Sequence, residues 1–256
     1  MGRYVYGGLC QSSTFAGSNK IYITTRSVAG TDTHTVACSA WIVPAGVRCA
    51  TFEVWGGGGA GTPTCCCTCY NGPPGDGGAY SMKTIPVTPG DSYVTIVGCG
   101  GCGNQCWFNG NACGCQGTKS YVTGAGLSNF CAEGGKGGLW CNASPCNKYW
   151  VPNGTRACAF GGDINLPGTP AQTFGCGWYP GSSNCSIALT GSAPFGGGWQ
   201  PSMMAVGQCQ SGGACGITGS FPGGGGGARP MMTTSMCDCC AMCNGAGADG
   251  LIIITI

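Results

Sequence analysis

Charged residues are scarce in this sequence. Lys and Arg number 10 and Asp and Glu number 8, so charged residues make up 7% of the chain, against about a quarter in typical soluble domains. The basic residues are scattered and the formal net charge is +2, whereas binding to a phosphate backbone requires clustered cations. We therefore exclude nucleic acid as a partner. A surface with so few charges is expected to carry Ser, Thr and Asn or to be covered by other copies of the chain.

Long hydrophobic runs are also missing. The longest run, Leu251 to Ile254 within "LIIITI", has the length of a strand, whereas a bilayer-spanning helix needs roughly 18 to 20 apolar residues. The first residues, "MGRYVYGGLCQSSTF", do not show the basic and then apolar layout of a signal peptide. We expect no membrane insertion.

Three residue types that are unfavourable or uncommon in helices are abundant in this sequence. The chain has 53 Gly, 24 Cys and 15 Pro residues, together more than a third of its length, which excludes a mainly helical fold. Disorder is not expected either, because 43% of the residues are hydrophobic and disordered chains are usually charged and poor in apolar groups. The composition predicts an ordered, all-β protein.

Groups that could carry catalysis are few and dispersed. None of the acidic residues forms a close pair in the sequence, and His34, the only histidine, lies in a Thr-rich strand-like stretch. Two distant carboxylates could meet in the fold, as in glycoside hydrolysis, but caps of turns are the simpler role for them. The glycine runs lack the Lys-Ser or Lys-Thr of a phosphate-binding loop. We predict no catalytic residue, no metal site and no cofactor, and hence a protein that is not an enzyme.

The cysteines indicate a disulfide-stabilised fold. Their number is even and they are spread over the whole chain, as in loop-rich proteins of oxidising compartments. Thiolate metal sites and free thiols are the alternatives, but structural zinc sites usually combine two separated pairs, often with His. A viral structural protein that is oxidised after lysis of its host would explain disulfides without a signal peptide. The candidate disulfide clusters are Cys65, Cys66, Cys67, Cys69, Cys99, Cys102, Cys106, Cys113, Cys115, Cys237, Cys239, Cys240 and Cys243.

Three blocks of the sequence predict β-strands. In "WIVPAGVRCATFEVW" two strands flank a turn that we expect to have Pro44 at its second position and Gly46 at its fourth, with Phe52 and Val54 on one face. In "SMKTIPVTPGDSYVTIVG", Pro89 and Gly90 suit a type II turn. The closing "DGLIIITI" predicts a strand that is buried on both faces or an edge strand closed by another subunit.

The stretches between these blocks are rich in glycine and show little periodicity. We expect a sandwich-like base of strands with long glycine-rich, disulfide-stapled loops, in which polyproline-II-like segments lie close together because no Cβ separates them. Residues 1–40 contain less glycine and read as an N-terminal strand or attachment segment, whereas residues 41–256 form the glycine-rich β domain.

The three blocks together resemble the glycine-rich domain of bacteriophage tail-fibre, adhesin and related virion structural proteins. The resemblance covers residues 41–256 and implies a surface-exposed virion component. The matching positions are Trp41, Val43 to Val47, Trp55 to Gly59, Val87 to Gly90, Val97, Gly98 and Asp249 to Ile254.

Aromatic residues in the glycine-rich stretches are candidates for receptor or partner contact, since aromatic side chains on loops supply large contact areas at small entropic cost. Filling small local cores is the alternative role. The candidates are Trp107, Trp140, Trp150, Trp178, Trp199, Tyr149 and Tyr179. A candidate assembly strand is formed by Leu251, Ile252, Ile253 and Ile254.

These observations predict a non-enzymatic structural protein of a bacteriophage particle: a tail-fibre or tail-tip adhesin, a decoration protein or a short fibre. Its expected partners are other copies of itself, other virion proteins and a glycan or protein of the host surface. The alternative is a subunit of a secreted or cell-surface microbial filament, assembled by strand addition through residues 251–256 or 20–28.

Overall fold

The structure is all-β in the part of the chain that it describes. The computed structural model describes residues 20–27, 34–35, 37–62, 74–103, 106–108, 111–138, 156–175, 186–197, 201–203, 216–227 and 245–256. They form strands, turns and extended segments. None of these residues belongs to a helix long and apolar enough to cross a bilayer. The predicted fold class is confirmed.

Two antiparallel sheets of five strands form the base of the molecule. The first sheet has, in spatial order, β1 (Lys20–Thr24), β17 (Leu251–Thr255), β5 (Cys49–Trp55), β6 (Tyr80–Pro86) and β13 (Ile164–Leu166). The second sheet has β12 (Ala159–Phe160), β11 (Cys131–Ala132), β10 (Ser120–Thr123), β7 (Ser92–Val97) and β4 (Ala37–Ile42).

The other described strands form smaller sheets. A three-stranded sheet consists of β14 (Gln172–Gly175), β15 (Ser186–Leu189) and β16 (Pro201–Met203). Two pairs are formed by β2 (Arg26–Ser27) with β3 (His34–Thr35), and by β8 (Cys106–Phe108) with β9 (Asn111–Cys113). His34 is thus part of a strand, as its Thr-rich surroundings predict.

The main core lies between the two large sheets, where alternating side chains meet. Phe52 and Val54 of β5 are fully buried, and so are Tyr93 and Val97 of β7. The rings of Trp41, Phe52 and Tyr93 have centroids 5.1–5.7 Å apart. Full burial of one such side chain contributes about 1.5–3 kcal/mol, so this cluster holds the two sheets together.

Strand β17 is an interior strand of the first sheet and is buried on both faces, which explains its continuous aliphatic sequence. Ile252 and Ile254 face the core between the sheets, while Leu251 and Ile253 pack with Trp55 and other residues on the opposite face of the first sheet. Both edges of β17 are paired, one with β1 and the other with β5. Of the two settings that the sequence allowed, burial on both faces is the one observed.

The two predicted turns are present, and one of them is shifted. Gly90 has φ +94°, and the amide of Asp91 donates to the carbonyl of Thr88 at 3.0 Å, as the type II prediction requires. The amide of Val47 donates to the carbonyl of Pro44 at 3.3 Å, and Gly46 has φ +87°. Pro44 is therefore at the first position and Gly46 at the third, not at the second and fourth, because the third position of a type II turn is the one that requires a positive φ.

The glycine-rich stretches supply extended segments that pack as a bundle against one end of the sandwich. We call seven of these segments the glycine bundle: residues 56–61, 74–79, 98–102, 114–119, 133–138, 223–227 and 245–250. All except 223–227 continue a sandwich strand directly: β5, β6, β7, β10, β11 and β17. The segments are linked by main-chain hydrogen bonds between residues far apart in the sequence.

Segment 56–61 is the centre of the glycine bundle, and its amides point to three neighbours in turn. Gly56 and Gly59 donate to segment 74–79 at 3.0 and 2.9 Å. Gly57 and Ala60 donate to segment 114–119, and Gly58 and Gly61 to segment 245–250, all at 2.8–3.0 Å. The period of three residues is that of a polyproline II helix, which has no hydrogen bonds of its own.

The carbonyls of the same segment face three further neighbours. The oxygens of Gly57 and Ala60 accept from segment 133–138, that of Gly58 from Gly101, and that of Gly59 from Gly226. One extended segment is therefore surrounded by six others, and each contact is a hydrogen bond between main chains.

This packing leaves no space for a side chain at the run of four glycines. A Cβ atom at Gly56, Gly58 or Gly59 would lie 2.0 Å from a carbonyl oxygen of a neighbouring segment, and one at Gly57 would lie 2.2 Å from the carbonyl oxygen of Cys99. A gap of that size cannot be relieved by rotating a side chain, since the obstructing atom belongs to the backbone. The glycines are required for close approach of the chains.

We expect the Gly58→Ala substitution to destabilise the protein by about 3 kcal/mol or more, because its Cβ would overlap the carbonyl of Gly224 at 2.0 Å and overpacking typically costs 1–3 kcal/mol where the structure can relax. The free energy of unfolding, measured with guanidinium, is the test. Gly227→Ala is the matched control, since its nearest neighbour atom would be 3.3 Å away. Equal losses in the two variants would contradict the close-packing explanation.

Candidate functional site

One end of the glycine bundle gathers the boundaries of long chain connections. Starting from the sandwich, the segments run to an opposite end that we call the outer end. There the amide of Gly61 donates to the carbonyl of Gly245 at 3.0 Å and the amide of Gly245 to that of Gly227 at 2.8 Å. Gly114 donates to Gly138 at 2.7 Å at the same end. Residues 62 and 74, 103 and 114, and 227 and 245 therefore flank connections that leave and return at the outer end.

Several of the predicted contact aromatics follow, or lie between, segments that reach this outer end. Trp107 lies in β8, between two segments of the glycine bundle. Trp140, Trp150 and Tyr149 follow segment 133–138, and Trp178 and Tyr179 lie between β14 and β15; these five residues, like Trp199, lie outside the described residues. Their role in contact stays a prediction.

Most acidic side chains in the described part of the chain are bound to main-chain amides. Asp91 accepts from the amide of Thr88 at 3.1 Å, Asp163 from Thr84 at 2.9 Å, and Glu133 from Cys158 at 3.0 Å. They cap turns and strand ends, the role that their dispersed positions in the sequence favour over a paired catalytic role. No group of three or more His, Cys, Asp or Glu residues in the described ranges is arranged to hold a metal ion.

Asp249 joins three parts of the chain. Its Oδ1 atom accepts from the amide of Gly100 at 2.7 Å, and its Oδ2 atom accepts from the hydroxyl of Thr25 at the end of β1. Its backbone carbonyl accepts from the amide of Gly223 at 2.8 Å. The Asp-Gly pair before the last strand therefore fixes the junction between the sandwich and the glycine bundle.

Asp76 is a buried carboxyl group inside the glycine bundle. Its Oδ1 atom accepts from the amide of Ala171 at 2.7 Å. Burial raises its pKa from 3.8 to about 6, although the bond from Ala171 and the positive charge of Lys136 oppose the rise. Raised pKa values often mark functional sites, but this carboxyl group is buried and accepts from the main-chain amide of Ala171, which favours a structural role.

The candidate disulfide cysteines fall into three groups. Cys99, Cys102 and Cys115 belong to the glycine bundle, and the sulfur atoms of Cys102 and Cys115 are 2.8 Å apart. Cys106 and Cys113 lie opposite each other in the pairing of β8 with β9. Cys65, Cys66, Cys67, Cys69, Cys237, Cys239, Cys240 and Cys243 lie outside the described residues. Disulfide pairing therefore stays a prediction.

The cysteine thiols of the described residues differ in their burial. Burial raises the pKa of Cys99 to about 11, and the negative charge of Asp249 adds to the rise. Burial also raises the pKa of Cys131. Cys102 and Cys115 are only half-buried. The sequence gives no sign of this difference, because all of these residues lie in similar glycine-rich surroundings.

The pairing of the strands leaves no open edge at the candidate assembly strand. Leu251, Ile252, Ile253 and Ile254 lie in β17, whose two edges are occupied by β1 and β5, so these residues offer no edge to another chain. Within the described residues the outermost strand on that side is β1.

The predicted boundary at residue 41 falls inside β4, and β1 belongs to the first large sheet.

Phe195 is the most exposed large hydrophobic residue in the described ranges, and the sequence motifs do not single it out. Phe195 is 77% exposed with φ +53°, and its ring packs edge-on against Tyr80 at 5.1 Å. The loop before it is fixed by Trp55, whose indole N–H donates to the carbonyl of Pro194 at 2.7 Å. The only sequence signal was its position between Pro194 and a glycine run.

We expect Asp249→Ala to lower the free energy of unfolding by about 2–4 kcal/mol, because the substitution removes two hydrogen bonds and leaves the buried amide of Gly100 without its acceptor. Asp163→Ala is the control, since that exposed carboxylate also accepts from a main-chain amide but water can replace it. Chemical denaturation of both variants is the measurement. A loss no larger than the control's would rule out the role of Asp249 at the junction.

The raised pKa of Asp76 predicts that the free energy of unfolding falls as the pH rises. The folded state holds this proton more tightly than the unfolded chain, so the contribution is complete below pH 4 and is lost as the pH rises through about 6. The shift corresponds to about 2–3 kcal/mol. Asp76→Asn, which keeps an acceptor for Ala171, is expected to remove this part of the pH dependence in denaturation at pH 4 to 8. Asp163→Asn is the control, and an unchanged profile in Asp76→Asn would overturn the assignment.

The comparison with known families agrees with this architecture. The glycine-rich domain family matches residues 31–256, which begins ten residues before the boundary predicted from the sequence and includes β4. No curated protein matches the chain. Since the match covers most of the sequence, from the strands of the sandwich through the whole glycine bundle, the chain belongs to the glycine-rich domain family.

Proposed function

We propose that the chain is a non-enzymatic structural protein of a bacteriophage particle, exposed on the surface as a tail-fibre or tail-tip adhesin, a decoration protein or a short fibre. Its partners in this role are other copies of the chain, other virion proteins and a glycan or protein of the host surface. The observation that carries the proposal is the division of the fold into a strand sandwich, a glycine bundle and an outer end where long connections begin and finish.

The glycine bundle is suited to a mechanical role because its segments are cross-linked in several directions. The amides of segment 56–61 donate to three neighbours and its carbonyls accept from three others, all at 2.8–3.0 Å. A force applied at the outer end would be distributed over many hydrogen bonds between segments. Each bond contributes only about 1 kcal/mol, so their number and their directions provide the resistance.

The polar groups of the described residues support a structural role over a catalytic one. Asp76, Asp91, Glu133, Asp163 and Asp249 each accept from at least one main-chain amide. A general acid or base must reach the substrate with its reactive oxygen, whereas these carboxyl groups are engaged in holding turns and segments. This arrangement favours a scaffold.

The outer end is the surface that we assign to contact with the host. The two segments that flank Trp107 reach this end, at the far side from the sandwich, and so does segment 133–138, which precedes Trp140, Tyr149 and Trp150. Aromatic residues on loops can contribute large contact areas, and a few such residues usually dominate the free energy of binding. The opposite end, with the sandwich strands, is left for attachment to the particle.

The location is tested by immunogold electron microscopy of lysates that contain the particles. Antibodies raised against the recombinant chain are expected to label tails or outer surfaces of intact phage particles. The contact surface is tested by binding of the labelled recombinant chain to host cells, in which Trp140→Ala and Trp150→Ala are expected to weaken binding by about tenfold or more.

Phe195→Ala is the matched control for the binding experiment, since Phe195 is an exposed aromatic residue on the sandwich. Its removal should leave binding to cells unchanged. Label on particles without any effect of the two Trp variants would retain the virion location and overturn the contact surface. Label confined to bacterial filaments would overturn the virion location itself.

A second candidate function, a filament subunit assembled by strand addition, is favoured by the position of β1. This strand, Lys20–Thr24, is outermost in the first large sheet of the described residues and pairs there with β17 on one side. A terminal strand of another copy could extend the sheet at the other side. Uniform filaments formed by the purified chain, seen by negative-stain microscopy, would support this function over the first.

A further inference from the structure

The segments that carry Cys102 and Cys115 are neighbours in the glycine bundle, and their spacing follows its period of three. The amide of Thr118 donates to the carbonyl of Cys99 at 2.9 Å. Three residues after Cys99 on its segment lies Cys102. Three residues before Thr118 on the neighbouring segment lies Cys115, so the period of three places the two cysteines opposite each other. Their sulfur atoms are 2.8 Å apart, so the two side chains also point towards each other.

Both segments are held independently of these two side chains. The carbonyl of Cys115 accepts from the amide of Ala60 at 2.9 Å, and the amide of Gly101, next to Cys102, donates to the carbonyl of Gly58 at 2.8 Å. Segment 56–61 therefore positions both cysteines from the same side. A disulfide needs sulfur atoms at about 2.05 Å, so closing the gap requires a movement of less than about 1 Å.

We propose that Cys102 and Cys115 form a disulfide that closes the outer end of the glycine bundle, and that this bond is a redox-dependent modification of the protein. The proposal is independent of the proposed function, since it concerns two side chains of the folded chain and not a partner. It assigns a specific pair among the candidate cysteines.

The reaction is a two-step exchange with a small-molecule disulfide such as oxidised glutathione. The thiolate of one cysteine attacks a sulfur of the oxidant, which breaks the oxidant's S–S bond and releases one thiol. The thiolate of the second cysteine then attacks the mixed disulfide and releases the second thiol. Two protein thiols are oxidised by two electrons in total, and their two protons are found on the two released thiols.

Neighbouring cysteines make the pairing selective. Cys99 lies on the same segment as Cys102 and is buried, and burial together with the charge of Asp249 raises its pKa to about 11, so little thiolate is present near neutral pH. Cys102 and Cys115 are half-buried and open to a small oxidant. Cys106 and Cys113 lie opposite each other in the pairing of β8 with β9, in a hairpin that the proposed bond would close at its base.

The test uses the full chain with Cys106→Ser and Cys113→Ser, so that this second pair cannot form a bond. The folded protein is treated with oxidised glutathione, alkylated and digested with trypsin and chymotrypsin without reductant. Cleavage after Trp107 or Phe108 separates the two halves of the hairpin. We expect them to remain joined, with a mass two hydrogens below the sum of the two peptides, and to separate on reduction.

Two further variants in the same background identify the partners. Cys102→Ser is expected to abolish the link and to leave Cys115 alkylated, whereas Cys99→Ser is expected to retain the link. Separate halves after oxidation, or a link that persists in Cys102→Ser, would overturn the proposal. If the double background does not give the folded protein by circular dichroism, the single variants Cys106→Ser and Cys113→Ser each remove the second pair. The link is then expected in both single variants and is expected to be lost from both when Cys102→Ser is added.

Thermal unfolding of the same background gives a second readout. The oxidised protein should have a higher Tm than the reduced protein, because the bond restricts the unfolded chain. The difference should be smaller in Cys102→Ser, because the contribution of this bond is lost while that of any other cysteine pair is kept. An equal Tm for the oxidised and reduced forms, with the link present by mass, would overturn the role of the bond in closing the outer end.

Discussion

The fold depends on the close approach of main chains that carry no side chains at their points of contact. At each position from Gly56 to Gly59, a carbonyl oxygen of a neighbouring segment lies only 2.0–2.2 Å from where the Cβ of any other residue would be. This proximity lets the amides form hydrogen bonds at 2.8–3.0 Å in three directions. Each bond is modest, but an unpaired buried amide would cost about 1–3 kcal/mol. The segments must therefore all be in place together.

The sandwich and the glycine bundle stabilise each other. Six of the seven bundle segments continue strands of the two large sheets, so the register of the sheets sets where each segment begins. The side chains of the sandwich supply the apolar burial that glycine does not, and the aromatic cluster of Trp41, Phe52 and Tyr93 joins its two sheets. Ordering glycine is entropically expensive, since it loses more conformational freedom than other residues. The sandwich limits this loss by fixing one end of each segment.

Patterns of side chains predicted the parts of the fold that use side chains. Alternation identified the buried face of β5 with Phe52 and Val54. The aliphatic run identified β17 as a strand but left open whether it is buried on both faces or is an edge strand closed by another subunit; the first is observed. The short strands β10 to β13 were not predicted, because two to four residues are too few to show alternation. The position of Gly46 in its turn was misplaced by one, since the motif alone does not say which residue takes the positive φ.

The candidate sites divide in the same manner. The sequence identified the carboxyl groups as caps and the aromatic residues as candidate contacts, but it could not indicate that Asp76 is buried or that Asp249 connects Thr25 with Gly100. These features depend on segments that are distant in the sequence. Nor could the sequence select Cys102 and Cys115 from the 24 cysteines, since the proximity of these two side chains follows from the three-residue period of the glycine bundle.

By itself, the sequence determined the all-β fold class, three recognisable blocks that contain strands and the order of the glycine runs in the described residues, because composition and alternation act locally. Only the tertiary structure decided which glycine segment faces which. One glycine is chemically the same as another, so the partners of each amide are set by the sheets that position the segments and by the lack of space between them, not by any signal in the residues themselves.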